Sequence, residues 1–208
     1  MSKYNQSDAL IIIDVQNDFC PGGALEVKEG DAIVDGIVEL SKQFQTVVLT
    51  QDNHPVDHSS FAVVHGKNPY ETINMPYGEQ TLWPQHCVQG TLGAAFHEKL
   101  RETEIRADLI IRKGMNREVD SYSAFFENDR VTSTGLCGYL EDKGIKRVVL
   151  VGLAFDFCVA YSALDAHGLG FKVTVIEDLT RGIGIPVGNE NTISLMRKEL
   201  KNLGIELA

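Results

Sequence analysis

The sequence holds only four cysteines in 208 residues, Cys20, Cys87, Cys137 and Cys158, and no two of them form a CxxC pair. Dispersed thiols suit a reducing compartment, and they argue against both a disulfide scaffold and a structural zinc site. Positive charge is scarce as well: 19 Lys and Arg stand against 29 Asp and Glu, a formal charge of −10. That balance argues against nucleic acid or an anionic membrane as the main partner. No apolar run reaches the length of a membrane span, and the polar start Met1 to Asp8 leads straight into a strand-like run without the character of a signal peptide. A cytoplasmic protein acting on small molecules is expected. Internal repeats and low-complexity segments are missing. Glycine-rich phosphate loops are missing too, since Pro21-Gly22-Gly23 and Gly182-Ile183-Gly184 lack the spacing and the lysine of a phosphate cradle.

What the chain does contain is a series of apolar, β-branched runs: Ala9 to Val15, Val47 to Thr50, Leu109 to Arg112, Val148 to Val151 and Val173 to Ile176. Each predicts a strand buried on both faces. Helical patterns lie between them at Ala32 to Phe44, Gly135 to Lys143 and Val159 to Leu164, the last ended by Gly168 with Asp156 as its N-cap. A final helix from about Asn191 to Leu203, closing at Gly204, precedes an edge strand at Ile205 to Leu207. The alternation predicts an α/β protein of three layers, with a mostly parallel central sheet flanked by helices. No linker divides it, so 1–208 is expected to be one domain. The stretch 53–107 is too long for a plain crossover and is expected to be a metal-site and lid insertion.

In a parallel sheet the ligand site lies beyond the carboxyl ends of the strands. Asp14, Asp52 with His54, Lys113 and Cys158 stand there, each at or just after a predicted strand. Cys158 in the first helical turn would face unpaired N–H groups and the positive end of the dipole, which stabilise a thiolate. A desolvated Asp14 could take the thiol proton, and Lys113 could hold both groups. Taken singly, each has a plainer reading: a small buried thiol, a turn-capping aspartate, a solvated lysine.

Asp52 and His54 alternate in extended chain and can point the same way, and His86 in Leu82-Trp-Pro-Gln-His-Cys-Val88 could complete a two-histidine, one-carboxylate set. Such a set suits one divalent zinc, iron or manganese ion and leaves positions open for substrate. His58 and Ser60 are candidate supports for it, whereas His65, His97 and His167 have no such setting. Phe19, Leu25, Trp83 and Tyr122 could line a pocket for a flat ring, or could simply pack.

Jointly, these motifs resemble the nicotinamidase branch of the isochorismatase-like cysteine hydrolases. The resemblance rests on Ile13-Asp-Val-Gln-Asn-Asp-Phe19, Pro21-Gly-Gly-Ala-Leu25, Thr50-Gln-Asp-Asn-His-Pro55, Ser60-Phe-Ala62, Trp83-Pro-Gln-His-Cys-Val88, Lys113-Gly114, Ser121-Tyr-Ser-Ala-Phe125 and Gly152-Leu-Ala-Phe-Asp-Phe-Cys-Val159. It implies an isochorismatase-like hydrolase fold, a catalytic triad of Asp14, Lys113 and Cys158, and Asp52, His54 and His86 as metal ligands. It further implies a cis peptide between Leu153 and Ala154, backbone amides of Ala154 and Cys158 facing an oxyanion, and Ala154 beside the substrate. The implied reaction converts nicotinamide to nicotinate and ammonia in NAD salvage, with pyrazinamide as a second substrate. Phe155 departs from the smaller or polar residue of relatives. Another small-amide or carbamoyl hydrolase of this fold, or a non-catalytic binding module, remain the alternatives, and a homo-oligomer is left open.

Overall fold

The computed structural model describes residues 3–208. Its centre is a six-stranded sheet, all parallel, in the order β10-β7-β6-β1-β2-β5. In chain order the main strands are β1 (Asp8–Ile13), β2 (Thr46–Asp52), β5 (Leu109–Lys113), β6 (Arg147–Leu153), β7 (Lys172–Arg181) and β10 (Glu206–Leu207). Two antiparallel hairpins stand apart from it, β3 (Thr72–Met75) with β4 (Gly78–Thr81), and β8 (Pro186–Val187) with β9 (Glu190–Asn191). The helices are α1 (Val34–Ser41), α2 (Arg101–Arg106), α3 (Leu136–Asp142), α4 (Ala160–Gly168) and α5 (Thr192–Asn202).

The two-sided burial expected of these strands is observed in β1, β2, β6 and the Val173–Val175 part of β7, whereas β5, at the sheet edge, is buried on one face only, with Ile110 and Arg112 exposed. Side chains alternate across a strand, so Leu10 and Ile12 of β1 enter one half of the core with Ile33, Ile37 and Leu49. Ala9, Ile11 and Ile13 enter the other half with Leu136, Leu140, Val148 and Leu150. Each fully buried aliphatic of this kind contributes ~1.5–3 kcal/mol relative to exposure. β6 and β1 approach so closely that a Cβ at Gly152 would lie 2.1 Å from the Ile13 carbonyl oxygen, which requires glycine there.

The helix limits follow local chemistry. Asn191 caps α5 through a reciprocal box with Ser194, and Gly204 turns the chain at φ 73° into β10. One expectation is corrected. Asp156 does not cap α4; it lies within a single wide turn, Phe155–Val159, that precedes the helix. Its buried carboxylate accepts instead from Ile183 N at 2.9 Å, from Gly184 N at 2.8 Å and from Thr192 Oγ1. Cys158 accordingly sits in that turn and not in the first turn of α4.

Candidate active site

The strand order places β6, β1, β2 and β5 side by side, and their carboxyl ends present Cys158, Asp14, Asp52 and Lys113 to one another. Asp14 leaves β1 at φ 45°, a left-handed conformation that aspartate tolerates better than most residues. Thr50 of β2 anchors it: the Thr50 hydroxyl donates to Asp14 Oδ1 at 2.7 Å and accepts from the Asp14 N–H at 3.2 Å.

Lys113 is the hub. Its ammonium donates to Asp52 Oδ1 at 2.5 Å and to the Ser121 carbonyl at 2.9 Å, and lies 3.4 Å from Cys158 Sγ. Asp14 Oδ2 forms a buried ion pair with the same nitrogen at 2.8 Å. One polar atom each of Asp14, Asp52 and Cys158 lies within 4.8 Å of the others.

Burial pushes the Asp14 carboxyl up; Lys113 offsets this only in part, and the neighbouring Asp52 charge adds to the rise. Burial acts on Asp52 in the same sense, yet Lys113 and His54 outweigh it and hold that carboxyl well below the usual range. Lys113 is desolvated too, but Asp14 and Asp52 keep it firmly protonated. Burial also pushes the Cys158 thiol well up, with Lys113 pulling it back and both carboxylates raising it further. Desolvation thus keeps the resting group a thiol, and its chemistry requires a base.

Asp52, His54 and His86 converge as the sequence suggested: Asp52 Oδ2 lies 3.6 Å from His54 Nε2 and 3.8 Å from His86 Nε2. The outer ring nitrogens are committed, His54 Nδ1 donating to the Gly114 carbonyl at 2.9 Å and His86 Nδ1 to that of Pro84 at 2.8 Å. Both Nε2 lone pairs are thereby directed at the carboxylate, the arrangement expected of imidazole ligands. Gly114 allows this approach, since a Cβ there would lie 2.3 Å from the His54 ring. Around this site the buried carboxylates Asp14, Asp52 and Asp120 stand against the ammonium of Lys113. That surplus of negative charge and the donor set fit one divalent cation. The His58 ring lies 4.3 Å from that of His54, tilted by 44°, with its Nδ1 2.8 Å from Ser60 Oγ, and its Nε2 has no hydrogen-bond partner among the described residues. Burial pushes His58 down to about 4, so it is neutral.

The stretch 53–107 delivers His86 by backbone pairing: His54 N donates to the Cys87 carbonyl at 2.9 Å and Trp83 N to that of Ser60 at 2.8 Å. His65 and His167 are exposed, and His97 caps a surface turn by accepting from Lys99 N.

Between the two groups opens a cavity lined by Phe19, Leu25, Trp83, Tyr122 and Ala154, all five of the expected pocket residues, together with Cys158, Asp52 and His86. Trp83 and Phe157 meet edge to face at 4.8 Å, and Phe19 meets His86 at 5.5 Å. The sequence reading missed Asp120, Phe157 and Ile183 in this wall. Asp120 and Phe157 adjoin or lie within motifs already singled out, whereas Ile183 sits in a glycine-rich segment considered only for phosphate. Phe155 is not part of the wall: it is buried in the other half of the core, under the Arg197 guanidinium. The Leu153–Ala154 peptide is cis.

The chain matches the isochorismatase domain over residues 8–200. It is 54% identical to a nicotinamidase of Acinetobacter baylyi, over 87% of this chain and 84% of that protein, and 46% identical to one of Escherichia coli, over 85% and 84%. Among solved structures, a nicotinamidase pyrazinamidase of Acinetobacter baumanii is 48% identical with a TM-score of 0.93, over 99% of this chain and 97% of that one. A protein of L. infantum in complex with nicotinate is 42% identical with a TM-score of 0.83, over 98% and 93%. The pyrazinamidase of Pyrococcus horikoshii in complex with zinc is 33% identical with a TM-score of 0.75, over 97% and 98%. A parallel sheet that gathers thiol, acid and lysine at one rim, a match that runs almost from end to end and relatives this close lead to one assignment: the chain belongs to the isochorismatase-domain family, in its nicotinamidase branch.

Proposed function

We propose that this chain hydrolyses nicotinamide to nicotinate and ammonia through a Cys158 thioester, serves NAD salvage in the cytoplasm, and also accepts pyrazinamide. The observation that carries the reading is the meeting of a buried thiol, the Asp14 carboxylate and the Lys113 ammonium beside a cavity walled by Phe19, Trp83, Tyr122 and Phe157. The nicotinamidase relatives and the nicotinate held by the L. infantum protein support the substrate. The four cysteines are all free thiols, which supports a reducing compartment, and among the described residues no helix is long and apolar enough to cross a membrane.

Asp14 takes the thiol proton as the sulfur attacks the amide carbon, and Lys113 holds the acid and the sulfur together throughout. The oxyanion is received by the backbone amides of Ala154 and Cys158, an interaction that in other enzymes is worth ~2.7–4 kcal/mol per donor. Asp14 returns its proton to the amine, and the C–N bond breaks to release ammonia. Asp14 then draws a proton from water, which adds to the thioester carbonyl; the C–S bond breaks, the sulfur regains a proton, and nicotinate leaves. Phe19, Leu25, Trp83 and Tyr122 hold the ring. Asp52, His54 and His86 would hold one divalent ion, for which zinc, iron and manganese all suit the donors, and which would supply a Lewis-acid contact for the ring nitrogen. The zinc of the P. horikoshii relative supports this assignment.

Ammonia release from nicotinamide by the purified protein tests the reading. Turnover of other small amides with none of nicotinamide would refute it in favour of a general amidase, and no turnover of any amide would favour a binding module.

A further inference from the structure

Gln80 has no place in the chemistry above, yet it is fully buried at 0% exposure on a hairpin whose neighbouring residues Gly78 and Glu79 are exposed. Its side-chain amide has partners at both ends. The two N–H donors of Nε2 are shared among three acceptors, the Thr81 carbonyl at 2.7 Å, Asp120 Oδ2 at 2.9 Å and the Tyr122 hydroxyl at 2.9 Å. Oε1 accepts from Asn128 Nδ2 and from the Tyr77 hydroxyl, each at 3.2 Å. The orientation of the amide is determined by chemistry. A carbonyl and a carboxylate can only accept, so the nitrogen must face them. Asn128 is itself oriented because its Oδ1 accepts the Tyr122 N–H at 3.0 Å, which turns its NH₂ toward Gln80.

Two of these partners, Asp120 and Tyr122, line the cavity above Cys158. The Tyr122 hydroxyl also accepts from the indole N–H of Trp83 at 3.3 Å, and Trp83 is a third lining residue. One amide carried by the β3–β4 hairpin thus reaches two groups of the ring pocket directly and a third, Trp83, through the Tyr122 hydroxyl. A buried polar group with all its bonds made has one arrangement, and removing it leaves buried acceptors without donors.

We propose that Gln80 is a positioning residue for ring recognition: it sets the Asp120 carboxylate and the Tyr122 hydroxyl, and through that hydroxyl the plane of Trp83, so that the hairpin shapes the pocket without touching the ring. The inference rests on the nicotinamide reading, since the ring is what the pocket holds. Gln80 is remote from the thiol chemistry in this scheme, so its loss weakens binding and spares the chemical step.

The chain contains a single tryptophan, Trp83, which makes its emission a local reporter. Gln80→Leu is expected to raise KM for nicotinamide about tenfold, the scale of unmatching one buried acceptor, with kcat within about twofold. Gln80→Glu, of the same size but with an oxygen facing Asp120, is expected to raise KM further. Both should shift Trp83 emission and diminish its response to added nicotinate. Tyr122→Phe, which cuts the link between Gln80 and Trp83 at its middle, should reproduce the emission shift even if a Gln80 variant fails to fold. Unchanged KM and emission in the folded variants, or a loss confined to kcat, would overturn the proposal. A wild-type protein without nicotinamidase activity would instead overturn the reading on which it rests, and the emission measurements would still report whether Gln80 sets Trp83.

Discussion

Lys113 Nζ and Asp52 Oδ1 lie 2.5 Å apart, both buried, and so a single ion pair joins the group around the thiol to the group around the histidines. A change at Lys113 therefore perturbs both groups at once. Lys113→Met leaves Asp14 and Asp52 without their ammonium, and breaking a buried pair from one side costs ~3–5 kcal/mol. Ammonia release is expected to fall roughly 10³-fold or more, and elemental analysis should show altered metal content in the same preparation. Near-normal turnover by Lys113→Met would remove lysine from the scheme.

Cys158→Ala is expected to abolish ammonia release while nicotinate still binds and the melting temperature stays close to that of the wild type. The change deletes one sulfur from a well-packed wall and strands no charge. Cys20→Ala and Cys137→Ala should each keep activity within about twofold, as substitutions away from the chemistry usually do. Thioester trapping by rapid acid quench, followed by mass analysis of the peptide bearing Cys158, gives the direct check.

Removal of a bound ion by chelation, or the variant His54→Ala, is expected to weaken ring binding and orientation most. Zinc, iron or manganese should restore the chelated protein but not the variant. Benzamide keeps the ring shape and the amide but lacks the ring nitrogen, so it should be poorer than nicotinamide by at least ~100-fold in kcat/KM, as when a site built round a polar contact loses it. Equal specificity constants, or a fully active preparation free of metal by elemental analysis, would rule out the assigned role of Asp52, His54 and His86.

At the far end of β1, burial works against the Asp8 charge, but two Arg147 hydrogen bonds at 2.9 and 2.8 Å and the Asn5 N–H together hold its carboxyl below the ordinary 3.8. A carboxylate with a lowered folded pKa stabilises the protein at every pH above its unfolded value, and that contribution disappears as pH falls through the folded value. Acid unfolding below about pH 4 should therefore be less steep in Asp8→Asn than in the wild type, with the neutral-pH melting temperature lower in the variant. Parallel acid limbs for the two proteins would show that Asp8 does not govern this step.

Five strands and the helix from about Asn191 to Leu203 were legible because their signals are local: apolar, β-branched runs, an Asn cap and a glycine stop at Gly204. The rim residues were legible for a related reason, since a parallel sheet always places the residues after its strands on one edge. Asp14, Asp52, Lys113 and Cys158 follow once the strands are drawn. The wide turn at Phe155–Val159 left no such signal, and Asp156, whose side chain resembles a helix cap in sequence, is taken by donors from the segment 183–192.

Residue pattern alone thus determined the layers, the strands and the list of chemically capable groups, because periodicity and turn chemistry act over a few residues. Tertiary structure decided the rest: that Lys113 joins Asp14, Asp52, Ser121 and Cys158 at one buried point, that desolvation keeps Cys158 a thiol, and that Asp120 and Ile183 line the pocket with Gln80 bonded behind Asp120. Those properties depend on distance and burial between groups far apart in the chain. Burial and electrostatic coupling exist only once the sheet has brought them together.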